Sequence, residues 1–305
     1  MSNELHAVTG AFGFSGRCIT SRLLEKGKTV IALTNSTANP FGNRVKSFPF
    51  LFNDPKALAS SLEGVDVLYN TYWVRFNCKE MTFEKATRNS IALFNAAKQA
   101  GVRRIVHISI TNPEINSELE YFNTKAKVEW ALKECGVSYS ILRPAVLFGE
   151  GGILINNIAW TLRRFPIVPV FGDGNYRLQP IYVWDLADLM VKHGEKVENQ
   201  IINAIGPETF TYRQLLEAVG KAIGCTRPTI SIPPGLGYLS SKALGFLMND
   251  IFATREEIRG LMAERLYVDA QPIGTTALTA WMKEHSKTLG LHYASELGRR
   301  RKRIG

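Results

Sequence analysis

The sequence predicts an α/β fold, with a doubly wound parallel sheet and a smaller, mainly helical C-terminal region. Two observations carry this. Short apolar, β-favouring runs alternate with helical patterns through the first half, a rhythm that implies parallel strands covered on both faces. The first run also ends in a glycine-rich turn that opens a helix. Residues 5–8 read as a strand, and the helix after the turn sets Ile19, Leu23 and Leu24 on one face before Gly27 stops it. Residues 29–33 form a second strand. A helix around 56–62 leads to a strand at 65–69. Residues 86–100 are helical, with Ile91, Leu93, Phe94 and Ala97 as apolar positions. A strand at 104–110, a helix at 122–135 ended by Gly136, and a strand at 137–142 follow. Gly and Pro punctuate residues 151–180, residues 201–204 form one more strand, and the chain from Thr211 onward is mainly helical.

With 305 residues, 45% hydrophobic and 21% charged, the chain can bury a sizeable core. Half of the formal net charge of +10 sits in one terminal run, Arg299, Arg300, Arg301, Lys302 and Arg303. No aromatic residues are interleaved there, so a solvated tail is expected rather than a nucleic-acid site. Cys18, Cys78, Cys135 and Cys225 lie far apart with no paired spacing, which argues against a disulfide framework or zinc site and suits a cytoplasmic location. No metal motif, signal peptide or membrane span is expected.

The turn reads Thr9-Gly10-Ala11-Phe12-Gly13-Phe14-Ser15-Gly16-Arg17. Glycines let backbone approach a pyrophosphate, and the helix N-terminus offers N–H groups and a positive dipole end. Between a first strand and a helix, this is the Rossmann-type cradle for a dinucleotide, NAD or NADP. An acid about 20 residues further on would grip the adenosine ribose of NAD. That stretch holds Thr34, Asn35 and Ser36 instead, with no Asp or Glu. The absence favours NADP, with Arg17 as a cation for its phosphate and Asn35 and Ser36 as donors.

Tyr121 and Lys125 stand four apart at the start of a helix, hence on one face. Ser109 and Thr111 close the preceding strand. Carbonyl reduction or alcohol oxidation needs a group that moves a proton while nicotinamide moves a hydride. A phenol of pKa ~10 needs a neighbouring cation to act near neutrality. Lys125 can be that cation, and Ser109 or Thr111 can hold the substrate oxygen.

These pieces together resemble the short-chain dehydrogenase/reductase superfamily in its extended or atypical branch. That branch includes NAD-dependent epimerases and dehydratases of sugar nucleotides, flavanone-type reductases, nitrogen-regulator-like sensors and a complex I accessory subunit. The matching pieces are Thr9–Gly16 as T-G-x-x-G-x-x-G, Asn89, Val106–Ser109, Tyr121 with Lys125, Leu142-Arg143-Pro144 leading to Phe148-Gly149, and Val183–Ala187 with Asp185. They span residues 5 to about 215. The resemblance implies that Tyr121 is the acid/base, that Lys125 also holds the nicotinamide ribose, and that Asn70, Thr71, Tyr72 and the backbone after Pro144 approach the cofactor. It implies an oxidoreductase or epimerase acting on a small carbonyl, alcohol or sugar nucleotide. The alternative is a sensor or scaffold that binds cofactor without chemistry. Two departures bear on that choice. The usual adenine-contacting Asp is replaced by Leu51, with Asp54 reading as a helix cap, and bulky Tyr72-Trp73 stand where the family commonly has small residues.

The domain reading is a cofactor domain at 1–150, with 181–205 returning to it. A substrate region follows at 151–180 and 206–298, and a basic tail at 299–305. Leu236, Leu239, Ala243, Leu247 and Ile251 recur at helical spacing. Because Pro233-Pro234-Gly235 would start that helix inside the folded domain, it is expected as a core or lid helix rather than an interfacial one, and the protein is expected to stay off vesicles.

Overall fold

A computed structural model describes residues 4–78 and 81–299. The first half of the chain gives β1 (Leu5–Thr9), α1 (Phe14–Glu25), β2 (Thr29–Leu33), β3 (Val45–Phe48), α2 (Pro55–Ser60), β4 (Val65–Asn70), α3 (Phe83–Gln99), β5 (Arg104–Ile108), α4 (Glu120–Glu134) and β6 (Ser138–Pro144). Then come β7 (Val146–Phe148), α5 (Leu154–Arg164), β8 (Val168–Phe171), β9 (Arg177–Leu178), β10 (Pro180–Tyr182), α6 (Val183–Gly194) and β11 (Gln200–Ala204). The chain continues through β12 (Phe210–Thr211), α7 (Tyr212–Ala222), β13 (Thr229–Ile232), α8 (Pro234–Met248), α9 (Arg255–Met262) and α10 (Leu278–Glu284).

The chain divides into two compact units. One comprises the residues up to Arg143 with Leu186–Ile202; the other comprises Pro144–Asp185 with the described residues from Asn203 on. The first holds a seven-stranded sheet in the order β11-β6-β5-β4-β1-β2-β3. The pairings β1–β2, β2–β3, β1–β4, β4–β5 and β5–β6 are all parallel. The winding leaves β1 in one direction through β2 and β3, then restarts at β4 on its other side, the switch point of a doubly wound sheet. Strand β2 (TVIAL) is buried on both faces after its first residue, which is why it reads as a continuous apolar run. Leu58, Leu93, Phe94, Val128 and Leu132 from α2, α3 and α4 pack on Ala7, Leu33, Leu68, Ile105 and Ile141 of the strands.

Local chemistry accounts for several boundaries. Asp54 caps α2 through Ala57 N–H at 3.0 Å, with Pro55 in the first turn. Thr82 caps α3 through Lys85 N–H. Arg104, at the opposite end of β5 from the glycine turn, is fully buried without an acid. Its guanidinium donates to the carbonyls of His193 (2.6 Å) and Glu198 (3.0 Å) and to the Ser138 and Ser140 hydroxyls.

The second unit mixes helices with three two-stranded pairs, β7–β10, β9–β12 and β8–β13. Phe148, Ile158, Leu162, Leu215, Val219 and Trp281 form its core. Asp185 accepts from Thr275 N–H (2.6 Å), Thr276 N–H (2.7 Å) and the Thr276 hydroxyl (2.9 Å), a structural task. In helix α8, Leu236 and Leu239 are 58% and 60% exposed, so of the core or lid roles expected these two residues do not fill the first, and Ile251 falls beyond the helix end. Periodicity shows that a helix has an apolar face, not that something covers it. Of the basic tail, Arg299 is described and residues 300–305 lie outside the described residues. No described helix is long and apolar enough to cross a membrane.

Candidate functional site

At the C-terminal ends of β1, β4 and β5, three polar side chains knit neighbouring strands. The Thr9 hydroxyl donates to Asn70 Oδ1 at 2.9 Å and accepts from Thr71 N–H (2.7 Å) and Tyr72 N–H (3.0 Å). Thr71 returns its hydroxyl to the Thr9 carbonyl at 2.5 Å. Asn70 Nδ2 lies 3.1 Å from His107 Nδ1. Burial first, then the Lys125 ammonium, hold His107 well below the ordinary imidazole value, so it is neutral and Nδ1 accepts. The network holds β4's end against the glycine turn. His107 was not singled out from the sequence, because inside a strand it reads as core.

The turn itself is shaped by close approach. Gly10 has φ +60°, and its N–H donates to the Leu33 carbonyl at 2.9 Å. A Cβ on Gly16 would stand 2.2 Å from the Gly10 carbonyl oxygen, so only glycine lets α1 start this close to β1. Gly13 is the N-cap, without a side-chain cap bond, and the first turn of α1 holds no acid. The first-turn N–H groups around Phe14, Ser15 and Gly16 are therefore left to an anion. Phe12 packs near Phe41, and Arg17 is exposed. These features fit a dinucleotide pyrophosphate.

Beyond β2, the buried Thr34 hydroxyl accepts from Ser36 N–H at 3.1 Å, and Asn35 Oδ1 accepts from Phe50 N–H at 2.8 Å. Asn35 remains exposed. The Tyr72 ring packs on Phe50 and Phe52 at 5.1 and 5.0 Å, and its hydroxyl accepts from Asn89 Nδ2 at 2.8 Å. Asn89 thus steadies an aromatic cluster where Leu51 stands in place of an acid. Pro144 is buried and ends β6.

Tyr121 lies in the first turn of α4 and Lys125 one turn later. Lys125 is 2% exposed; its ammonium donates to the Ile108 carbonyl at 3.0 Å and sits 4.3 Å from the Trp73 ring centre. Burial pulls its pKa down to about 7, against the opposing pull of Glu129. Glu129 is itself held by Arg143 through two bonds of 2.9 and 2.5 Å. The Tyr121 ring meets Trp73 and Phe83 edge-on at 6.2 and 5.4 Å. Ser109 follows Ile108 directly. Its N–H donates to the Leu142 carbonyl, while its hydroxyl is buried and makes no protein hydrogen bond. Thr111 is fully buried in the loop after β5, which ends at Ile108 rather than at residue 110. The Trp73–Lys125 contact could not be read from sequence, because 52 residues separate the partners.

The NAD dependent epimerase/dehydratase family model matches residues 6–205. The chain belongs to that family. Among curated relatives of this epimerase/dehydratase-family chain is the Arabidopsis thaliana mitochondrial NADH dehydrogenase (ubiquinone) 1 alpha subcomplex subunit 9. It is 23% identical, over 82% of this chain and 66% of that protein. The Neurospora crassa NADH-ubiquinone oxidoreductase 40 kDa subunit is 25% identical over 74% of this chain and 62% of that protein. The chain therefore spans less than two thirds of the length of these relatives. Among solved structures, Citrobacter sp. triphenylmethane reductase complexed with NADP(H) superposes with TM-score 0.75 at 17% identity, covering 92% of this chain and 99% of that one. Thermotoga maritima UDP-glucose 4-epimerase with UDP-glucose gives 0.63 at 19% identity, covering 75% and 85%. These neighbours share the fold.

Proposed function

We propose that the chain binds NADP, or NAD, with its pyrophosphate on the Gly10–Gly16 turn and the first turn of α1. We further propose that it reduces a small carbonyl, or oxidises the alcohol or sugar-nucleotide hydroxyl, through Tyr121. The observation that carries this reading is the bond from Lys125 to the Ile108 carbonyl, which ties the α4 pair to the strand end where Ser109 stands with an uncommitted hydroxyl. Between the two hydroxyls considered, this favours Ser109 over Thr111 as the group that orients the substrate oxygen. The nicotinamide, when bound, supplies or accepts the hydride. Tyr121 gives its phenolic proton to the oxygen of the carbonyl being reduced and takes it back in the reverse direction. The Lys125 ammonium favours the phenolate and offers N–H donors to the nicotinamide ribose. The NADP preference rests on Thr34, Asn35 and Ser36 holding no acid and on the exposed Arg17. Four cysteines without a disulfide support a reducing, cytoplasmic setting.

A second reading, cofactor binding without chemistry, is favoured by one contact: the Trp73 ring stands against the Lys125 ammonium that the ribose would need. The relatives named as subunits of NADH-ubiquinone oxidoreductases support it, and with it protein partners. Calorimetric titration with NADP and NAD comes first, followed by a panel of carbonyls and sugar nucleotides with product analysis. Tyr121→Phe should leave cofactor affinity nearly unchanged and lower kcat by ~10²–10⁴-fold. Full activity in Tyr121→Phe refutes the assigned chemistry. Tight cofactor binding with no turnover across the panel selects the second reading.

A further inference from the structure

Three aromatic rings meet at the C-terminal edge of the large sheet. Phe50 and Phe52, in the loop after β3, stack with 5.0 Å between ring centres and 11° between planes. Tyr72, in the segment after β4, leans on both at 5.1 and 5.0 Å. Strands β3 and β4 are separated in the sheet by β2 and β1. The rings therefore reach each other across the ends of those two strands. Phe50 and Phe52 pack against the sheet's hydrophobic core, yet all three rings are only half-buried.

Hydrogen bonds tether the cluster at both ends to the cradle described above. Thr34 N–H donates to the Phe48 carbonyl at 2.9 Å, and Phe50 N–H donates to Asn35 Oδ1 at 2.8 Å. Tyr72 N–H donates to the Thr9 hydroxyl and to Asn70 Oδ1, each at 3.0 Å. Asn89 Nδ2 fixes the far end of the Tyr72 ring through its hydroxyl. Phe50 is thus one hydrogen bond from the end of β2, and Tyr72 one hydrogen bond from the residue that opens the glycine turn. In a doubly wound sheet the pyrophosphate lies on that turn and the adenosine ribose at the end of the second strand. The base continues past the ribose toward β3, where the rings stand. A flat aromatic face attracts any purine by stacking, whatever the base carries on its edge. Reading the edge of adenine needs an acceptor for its exocyclic amino group. Leu51, between the two phenylalanines in sequence, has none. Asn35 Oδ1 already accepts from Phe50 N–H, and Asp54 is turned to the N-terminus of α2, where Oδ1 accepts from Ala57 N–H.

We propose that Phe50, Phe52 and Tyr72 hold the base of the dinucleotide by its ring face, so that the site takes purine dinucleotides without selecting adenine. This rests on the dinucleotide reading of the glycine turn. The ligand that separates face from edge is the hypoxanthine counterpart of the cofactor. Hypoxanthine keeps the purine ring and replaces the amino group with a carbonyl, a donor with an acceptor. A site that accepted a hydrogen bond from the amine would set its own acceptor against that carbonyl oxygen and reject the analogue. A site made of ring faces would not register the exchange.

The test is calorimetric titration of the full chain with NADP, with NAD and with the hypoxanthine counterpart of each. A cofactor and its counterpart should have Kd values within about threefold of each other, because stacking tolerates changes at the edge. Phe52→Leu keeps an apolar side chain and removes one ring face. It should weaken a cofactor and its counterpart in parallel, by about five- to tenfold, and Phe50→Leu should do the same. Thermal melts check that both variants keep the fold, and the wild-type comparison decides the proposal without them. A preference of more than about tenfold for the adenine form overturns the proposal while leaving the glycine turn in its role. Folded variants that bind as tightly as the wild type also overturn it, because the rings then do not touch the base. If the wild type binds none of the four ligands, the dinucleotide reading falls and this proposal falls with it.

Discussion

Gly16→Ala isolates the packing of α1 against β1. The added methyl would lie 2.2 Å from the Gly10 oxygen, 2.8 Å from the Gly10 carbonyl carbon and 3.0 Å from the Ala11 Cα, all backbone atoms. Unstrained contacts run to about 3.5 Å, so α1 would have to withdraw by about 1 Å. Gly10 has little room to yield, since its N–H is tied to the Leu33 carbonyl and its own carbonyl accepts from Gly13 N–H at 2.8 Å. Two effects compete. Helix propensity alone favours Ala over Gly by about 1 kcal/mol. Overpacking against a fixed backbone costs about 1–3 kcal/mol, and three simultaneous backbone contacts put this case at the upper end. The expected net result is a loss of about 1–2 kcal/mol, read as a lower urea midpoint with unchanged slope. The same ~1 Å retreat carries the first-turn N–H groups out of hydrogen-bond range of a phosphate, so NADP affinity measured by calorimetry should fall at least about tenfold. A variant that gains stability by the propensity term and binds NADP like the wild type would refute both the packing argument and the cradle.

Two further expectations follow from the site. Asn35→Asp keeps an acceptor for Phe50 N–H and adds the missing acid, so paired titrations should shift preference from NADP toward NAD; an unchanged ratio would detach Asn35 from the adenosine ribose. Lys125 is expected to make stability pH-dependent. Burial lowers its pKa from 10.5 to about 7, so between those values the unfolded chain binds the proton that the folded chain lacks. Stability should therefore rise as pH climbs from about 7 toward 10, with the burial penalty fully present below about 7. Lys125→Met should flatten that rise in urea midpoints. A flat wild-type profile would mean that the Ile108 carbonyl and the Trp73 face hold the ammonium charged through this range.

What the sequence determined by itself is what depends on near neighbours along the chain. The alternation of apolar runs and helices, the glycine turn at the end of β1, the Asp54 cap and the one-turn spacing of Tyr121 and Lys125 are local patterns, and each produces local geometry. Strand β3 does not stand out in the apolar pattern, because just one of its four residues is buried. The strands of two to four residues after β6 escaped because they are too short to show a period. The tertiary structure decided everything that depends on what faces what. It set Trp73 against Lys125, left the Ser109 hydroxyl uncommitted, and joined Thr9, Asn70 and His107 across three strands. It also turned Leu236 and Leu239 of α8 outward and fastened residues 293–297 at the end of that helix. A hydrophobic period requires a face, but only the packing of distant segments determines whether that face meets a core or water.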